Sequence, residues 1–204
     1  MYIPNLYKNE NQTEIEQFLN ENGFAILVNQ TNGKLWATHI PLILGTNSNG
    51  EQILIGHISK LNPQAESFNQ NDEVLAIFSG SHSYISSSWY DHENVPTWNY
   101  LAVHVYGKVR LHTYEESIES LKKLINKYES KSEKPIRIED LSEKTMREAR
   151  GIVSFEIEIS SIEAQKKLSQ NRDDKNYQNI ISELEKTNEN QAIEIAKAMK
   201  KNRS

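Results

Sequence analysis

A chain of 204 residues and 23.5 kDa has room for one domain, or for one domain with an appendage. Lysine and arginine total 23 against 28 acidic residues, so the net charge of −5 gives no global electrostatic footprint for nucleic acid, and any DNA contact must pass through a local patch or a partner. The absence of cysteine excludes a disulfide framework, thiolate metal sites and cysteine nucleophiles.

Apolar runs such as Ile53–Ile55 fall far short of the roughly 20 residues that span a bilayer, and Met1-Tyr2-Ile3-Pro4-Asn5 lacks a charged segment followed by an apolar one. A cytoplasmic address is therefore expected. Hydrophobic residues make up 37% of the chain, slightly under the average for globular domains, so a core is affordable but part of the chain should be polar and weakly packed.

Thr13-Glu14-Ile15-Glu16 reads as a capping box opening a short helix that Gly23 ends. Phe24 to Val28 suits a buried strand, and Asn32-Gly33 is a hairpin turn signal because both residues tolerate positive φ. Leu35 to Leu44 is the return strand, with a bulge or an edge at Pro41, which has no N–H for a ladder. Gln52 to Ile58 and Asp72 to Ser79 give two more strands. Gly80 to Trp98, rich in serine and aromatics with little periodicity, reads as a loop ordered by what it touches. Leu101, Val103, Val105, Val109 and Leu111 then alternate with His104, Tyr106, Lys108, Arg110 and His112, an apolar face against one of rings and charges. Gly107 falls on the apolar side, where a backbone can approach closely.

Thr113-Tyr114-Glu115-Glu116 is a second capping box, and its helix runs through Ile118, Leu121, Leu124 and Ile125. Residues 129–144 read as surface connection and Ser142 to Arg150 as a short helix. Gly151 to Ile159 is the last strand, with Val153, Phe155, Ile157 and Ile159 inward and Ser154, Glu156 and Glu158 outward. From Asp173 to Ser204 the chain is almost wholly polar. The thin stripe of Ile180, Ile181, Leu184, Ile193, Ala196 and Met199 predicts a peripheral or partner-facing helical tail following a domain over residues 1–172. Hairpin-linked strands favour an antiparallel sheet that closes into a small barrel, mainly β with peripheral helices. No strand, glycine-rich loop and helix unit occurs, which argues against a doubly wound dinucleotide fold.

All six histidines lie between positions 39 and 112, yet no spacing has the pattern of a zinc site, so no metal is expected; Gly80-Ser81-His82-Ser83 lacks the G-x-S-x-G elbow and no local feature activates a particular serine, so Ser-His hydrolysis is not expected either. His39, His57 and His104 read first as hydrogen-bonded wall residues. At His57-Ile58-Ser59-Lys60-Leu61-Asn62-Pro63-Gln64 a strand ends in a turn. There Ser59, Lys60 and Asn62 either present a hydroxyl, an ammonium and an amide to one anion, or form a solvated turn. The aromatic and hydroxyl-rich pair Ser83 to Tyr90 and Val95 to Tyr100 suits a flat heteroaromatic ligand, or an interface. Lys166-Lys167-Leu168-Ser169-Gln170-Asn171-Arg172 closes over an anionic ligand, or is a basic helix start.

Taken together, Ala37-Thr38-His39-Ile40-Pro41-Leu42, Gly56-His57 with Ser59-Lys60, Asn62-Pro63-Gln64, Val95-Pro96-Thr97-Trp98-Asn99-Tyr100, Ala102-Val103-His104-Val105-Tyr106-Gly107 and Lys167-Leu168-Ser169-Gln170-Asn171 resemble the PaiB family of FMN-binding negative transcriptional regulators. The likeness spans about residues 1–175. It implies an FMN-binding split β-barrel, antiparallel and of Greek-key type, in a homodimer with FMN at the subunit interface. It assigns the FMN phosphate to Ser59 and Lys60, with Thr38, His39, His57 and Asn62 nearby. Lys167, Ser169 and Gln170 cap the flavin from the same or the other subunit, and Trp98 and Asn99 line the ring or hold the dimer. Two functions follow from the resemblance: a repressor acting through DNA or a protein partner, or an FMN-dependent oxidoreductase acting on a small molecule. Lys122, Lys123 and Lys127 on one helix, or the Lys197-to-Arg203 end, are the candidate basic patches, or solvated faces.

Overall fold

The computed structural model describes residues 1–70 and 73–203; Asp72 and Ser204, at the ends of two expected elements, lie outside the described residues. Among the described residues five α-helices and seven strands follow in chain order: α1 (Gln12–Glu21), β1 (Phe24–Thr31), β2 (Lys34–Pro41), β3 (Ile43–Thr46), β4 (Gln52–Ser59), β5 (Glu73–Ile85), β6 (Thr97–Leu111), α2 (Tyr114–Glu129), α3 (Glu143–Met146), β7 (Ile152–Lys167), α4 (Asp174–Lys186) and α5 (Asn190–Asn202). The strands form one sheet in the order β2-β1-β5-β6-β7-β4-β3, whose ladder has β2 and β3 at its ends among the described residues. The pairings β1–β2, β1–β5, β3–β4 and β4–β7 are antiparallel.

Several elements follow directly from local chemistry. Asn32 and Gly33 both take positive φ, 50° and 75°, and close the β1–β2 hairpin in the register Thr31↔Lys34. Pro41 ends β2, an edge strand, and after Leu42 the chain resumes as β3. Thr113 caps α2 as a full capping box with Glu116. The first helix differs from expectation. Asn11, not Thr13, caps α1: its Oδ1 accepts from the Glu14 N–H at 3.2 Å and its carbonyl from the Ile15 N–H at 3.0 Å. A short amide side chain two residues earlier satisfies the same free donors.

The segment after Gly80 also differs. It is strand as far as Ile85, because Ser83 and Ile85 are buried while His82 and Tyr84 are exposed. The period of two is present, but serine occupies an inward position and hides it.

The chain divides into two compact units, and β5, β6 and β7 each contribute residues to both. The first comprises Met1–Phe18, Phe78–His104 and Glu163–Ser204. Its core joins Ile85, Tyr90 and Leu168 to Tyr177, Ile180, Ile181 and Leu184 of α4 and to Ala192, Ile195, Ala196 and Met199 of α5. Of the stripe expected to be peripheral, Ile180, Ile181, Leu184, Ala196 and Met199 are therefore core, while Ile193 is only partly buried and Ala192 and Ile195 are buried in its stead. Two helices with narrow apolar faces bury them together, which neither does alone. The Tyr177 hydroxyl donates to the Met199 carbonyl at 2.8 Å, tying α4 to α5.

The second unit comprises Leu19–Ile77 and Val105–Ile162. Its core includes Leu27, Leu42, Leu54, Ile55, Phe68, Phe155 and Ile157, with Phe68 edge-on to Phe155 at 4.9 Å between centroids. A Cβ on Gly107 would stand 2.3 Å from the Glu158 carbonyl oxygen, so the close approach expected at this glycine is present. Ser154 and Glu156 of β7, expected to face solvent, are buried. The strand is covered on both faces here, because Arg110 of β6, His112 just after it and Ser120 of α2 pack over the polar one.

Candidate functional site

Ser59 and Lys60 stand at the end of β4 in the second unit, both exposed. The backbone of this corner is fixed: the Lys60 N–H donates to the Gly151 carbonyl at 2.9 Å and the Asn62 N–H to the Ser59 carbonyl at 3.0 Å. The Ser59 hydroxyl oxygen accepts from the Leu61 N–H at 3.2 Å, which leaves its proton available to a ligand.

Behind the corner lies a saturated polar lattice. Asn62 Nδ2 donates to the Thr38 hydroxyl at 2.8 Å, and that hydroxyl donates to Gln64 Oε1. Gln64 is fully buried. Its Nε2 donates to Asn29 Oδ1 at 2.8 Å and to the Leu27 carbonyl at 3.1 Å. Asn29, Thr31 and Ser67, all buried, complete the lattice: Asn29 Nδ2 donates to Ser67 Oγ at 2.5 Å, and the Ser67 hydroxyl to the Gln64 carbonyl at 3.0 Å. Thr38 is thus spent as a donor and holds Asn62 in place. Sequence reasoning passed over Gln64 as a site residue although it ends the Asn-Pro-Gln string; a glutamine following proline at a strand end is the signal. His57, opposite Ser154 in the β4–β7 ladder, is partly buried, and burial pushes its imidazole below its ordinary range, so it is neutral. His39 is exposed beside Phe24, with ring centroids 6.1 Å apart.

The other candidates stand in the first unit. Lys167 Nζ donates to the Thr97 hydroxyl at 2.6 Å. Ser169, at a φ of 60°, is buried and donates to Asn99 Oδ1 at 3.0 Å; Asn99 is fully buried and its Nδ2 faces Met199 Sδ at 3.5 Å. Gln170 locks the turn, accepting from the Leu168 N–H at 2.7 Å and donating to the Lys166 carbonyl at 2.5 Å. Trp98 is 53% exposed and Tyr84 46%, their rings edge-on at 5.9 Å, with His82 at 6.0 Å from Trp98. An open aromatic ledge of this kind suits a flat ring or a partner surface.

A second polar cluster in the second unit was not anticipated. Arg110 Nε donates to Glu156 Oε1 at 2.7 Å and its terminal nitrogens to both Glu116 oxygens at 3.3 and 3.0 Å. The Arg110 bonds hold the Glu116 carboxyl down at about 2. Burial pushes the Glu156 carboxyl up, but Arg110 and His112 outweigh it, so it lies below its ordinary range. Among the described residues no group of acidic and histidine side chains could hold a metal ion. The candidate basic patches are largely neutralised. Lys122 pairs with Glu139, Lys197 with Glu194 at 2.7 Å, Lys200 with Glu185 at 2.6 Å and Arg203 with Asp174, while the Lys127 ammonium is buried.

The family described as "Putative FMN-binding domain" matches residues 1–161. The chain belongs to this family. It is 43% identical over 201 residues to "Protease synthase and sporulation protein PAI 2" of Bacillus subtilis, covering 98% of this chain and 96% of that protein. By structure it is similar to an FAD- and heme-binding protein of Mycobacterium smegmatis, with a TM-score of 0.62, 13% identity and coverage of 79% of this chain and 73% of that one. It is also similar to the flavocytochrome Anf3 of Azotobacter vinelandii, with a TM-score of 0.61, 14% identity and coverage of 84% and 75%. These two likenesses show the fold, that of the split barrel the resemblance implied; the closed barrel expected from the strand pattern is corrected, because among the described residues the sheet stays open with β2 and β3 at its ends. The donor chemistry fits FMN. In the second unit an exposed ammonium and a free hydroxyl proton on a fixed turn suit a phosphate; in the first, taken by itself, the open aromatic ledge suits a flat ring. Among the described residues no helix is long and apolar enough to cross a membrane.

Proposed function

We propose that this protein is an FMN-binding transcriptional regulator of the PAI 2 kind, a cytoplasmic homodimer that acts as a repressor. The observation that carries the reading is the 43% identity to PAI 2 along nearly the whole of both chains. Ser59 and Lys60 would hold the phosphate, with Asn62 positioned through Thr38 and Gln64, and His57 and His39 flanking. A neutral His57 donates a hydrogen bond without adding charge. Lys167 and Gln170 would cap the flavin from the partner subunit, and Trp98 would offer it a stacking face. Asn99 and Ser169, bonded to each other, would hold that cap in shape. Residues 1–172 form the flavin-binding part in this reading, and 173–204 its helical appendage.

When bound, FMN supplies one- and two-electron redox chemistry. The repressor reading uses the flavin as a ligand that sets the protein's state; the oxidoreductase reading uses its chemistry on a small molecule. The neutralised lysine patches support action through a protein partner, or a DNA surface built only in the dimer. Purified protein is expected to be yellow, dimeric by sedimentation, and to keep its flavin oxidised in the presence of NADH or NADPH. Rapid bleaching by either nucleotide, with no operator retained in a salt-titrated gel shift, would favour the oxidoreductase.

A further inference from the structure

The second unit holds a cavity of about 670 Å³ that shares no residue with the flavin candidates. Glu116, Glu119, Ser120 and Lys123 line it from one face of α2, at helical spacing, Arg110 and Glu156 from the sheet, and His112 from the link between β6 and α2. The orientation of His112 follows from its neighbours. The Glu156 carboxyl lies below its ordinary range and is ionised, so it accepts only. Arg110 occupies Oε1, and His112 Nε2 faces Oε2 at 3.5 Å. The imidazole proton therefore sits on Nε2, and Nδ1 is the acceptor. Two hydroxyls reach that nitrogen, Ser120 Oγ and Ser154 Oγ, each at 3.0 Å. Nδ1 has one lone pair, so one hydroxyl donates at a time. Of the two, only Ser120 lines the cavity.

A hydroxyl on a neutral imidazole whose other nitrogen faces a fixed carboxylate is the arrangement that activates a serine. The ring is turned relative to the usual serine hydrolase order, with serine on Nδ1 and carboxylate on Nε2, but an imidazole relays a proton through either nitrogen. We propose that Ser120 is a nucleophile and that the cavity takes a small carboxylic ester. Ser120 Oγ bonds to the ester carbonyl carbon as its proton passes to His112 Nδ1. The ester C–O bond then breaks, and the departing alkoxide takes that proton and leaves as an alcohol. Water attacks the acyl-serine by the same proton route, which releases a carboxylic acid and restores Ser120. Glu156 holds the ring and faces the imidazolium formed in each half. Lys123, one turn along α2 from Ser120, places positive charge in the same cavity for the developing oxyanion. Glu115, Glu119 and Glu158 add negative charge to the lining, while Arg110 is committed to Glu116 and Glu156, so neutral or cationic esters are preferred over anionic ones.

The test is treatment of the full chain with a fluorophosphonate probe, followed by intact mass and peptide mapping, alongside hydrolysis of p-nitrophenyl acetate and acetylthiocholine. One adduct on Ser120 is expected, absent in Ser120→Ala and retained in Ser154→Ala. His112→Gln should slow labelling and hydrolysis at least about 100-fold. Unchanged circular dichroism and urea midpoint in Ser120→Ala separate loss of the nucleophile from loss of the fold. An unlabelled native protein, hydrolysis that persists in Ser120→Ala, or an adduct that moves to Ser154 would overturn the proposal.

Discussion

In the proposed reading two lysines serve the same ligand, and the structure around each is different. Lys60 sits on a corner whose backbone and supporting side chains are saturated, while its exposed ammonium has no hydrogen-bond or ion-pair partner among the described residues. Lys167 is half-buried and already donates to Thr97, beside a turn closed by Gln170 and by the Ser169–Asn99 bond. The first corner keeps its charge uncommitted and fixes everything behind it, which is how a site lowers the ordering cost of binding. The second commits its donors within the fold, so a ligand there competes with bonds that already exist.

The largest expected effect tests the scaffold. Gln64→Ala leaves buried partners of Leu27, Asn29 and Thr38 unsatisfied and should cost roughly 3 kcal/mol in urea unfolding, with FMN affinity falling too. A variant of native stability would mean that the lattice is not what holds the corner. Lys60→Ala should remove one charge-assisted bond, about 1.5–3 kcal/mol, or about 10- to 100-fold in FMN affinity, and leave the urea midpoint alone. Unchanged flavin titration would take Lys60 out of the phosphate site.

Asn99→Ala should do the reverse, costing about 1–3 kcal/mol of stability through the stranded Ser169 hydroxyl, with a smaller effect on flavin. If flavin affinity drops while stability holds, the two corners are more alike than their bonding suggests.

The smallest effect is on pH. His112 is held below its ordinary 6.5, chiefly by burial, so acid first costs stability as pH falls below that value, where the unfolded chain takes up the proton more readily. The Glu116 carboxyl, at about 2 against an ordinary 4.5, contributes stability that is full above 4.5 and is lost as pH falls toward 2. The urea midpoint should decline in both windows, and Arg110→Met should abolish most of the lower one.

Some turns and caps were legible because they rest on nearest-neighbour chemistry: Asn32-Gly33 and the Thr113 box stand as read, and so does the close approach at Gly107, whereas the Thr13 box gave way to Asn11. The chain to Ile85 was not, because serine at an inward position breaks the apolar period while remaining compatible with burial. The anion-binding character of Ser59, Lys60 and Asn62 could be read from residue types on one turn. That Thr38 supports Asn62, and that Gln64 anchors both, could not, since those bonds join residues 24 to 37 positions apart.

By itself, then, the sequence determined the family, the strands and the residue types at the anion corner. Tertiary structure alone decided which polar groups are free. It turned most of a thin stripe on α4 and α5 into core, buried Ser154 and Glu156 under Arg110 and His112, and left Lys60 without a partner among the described residues while Lys167 gained one. The reason is that periodicity fixes which way a side chain points along its own element, whereas burial and hydrogen-bond partners depend on what another element lays over it.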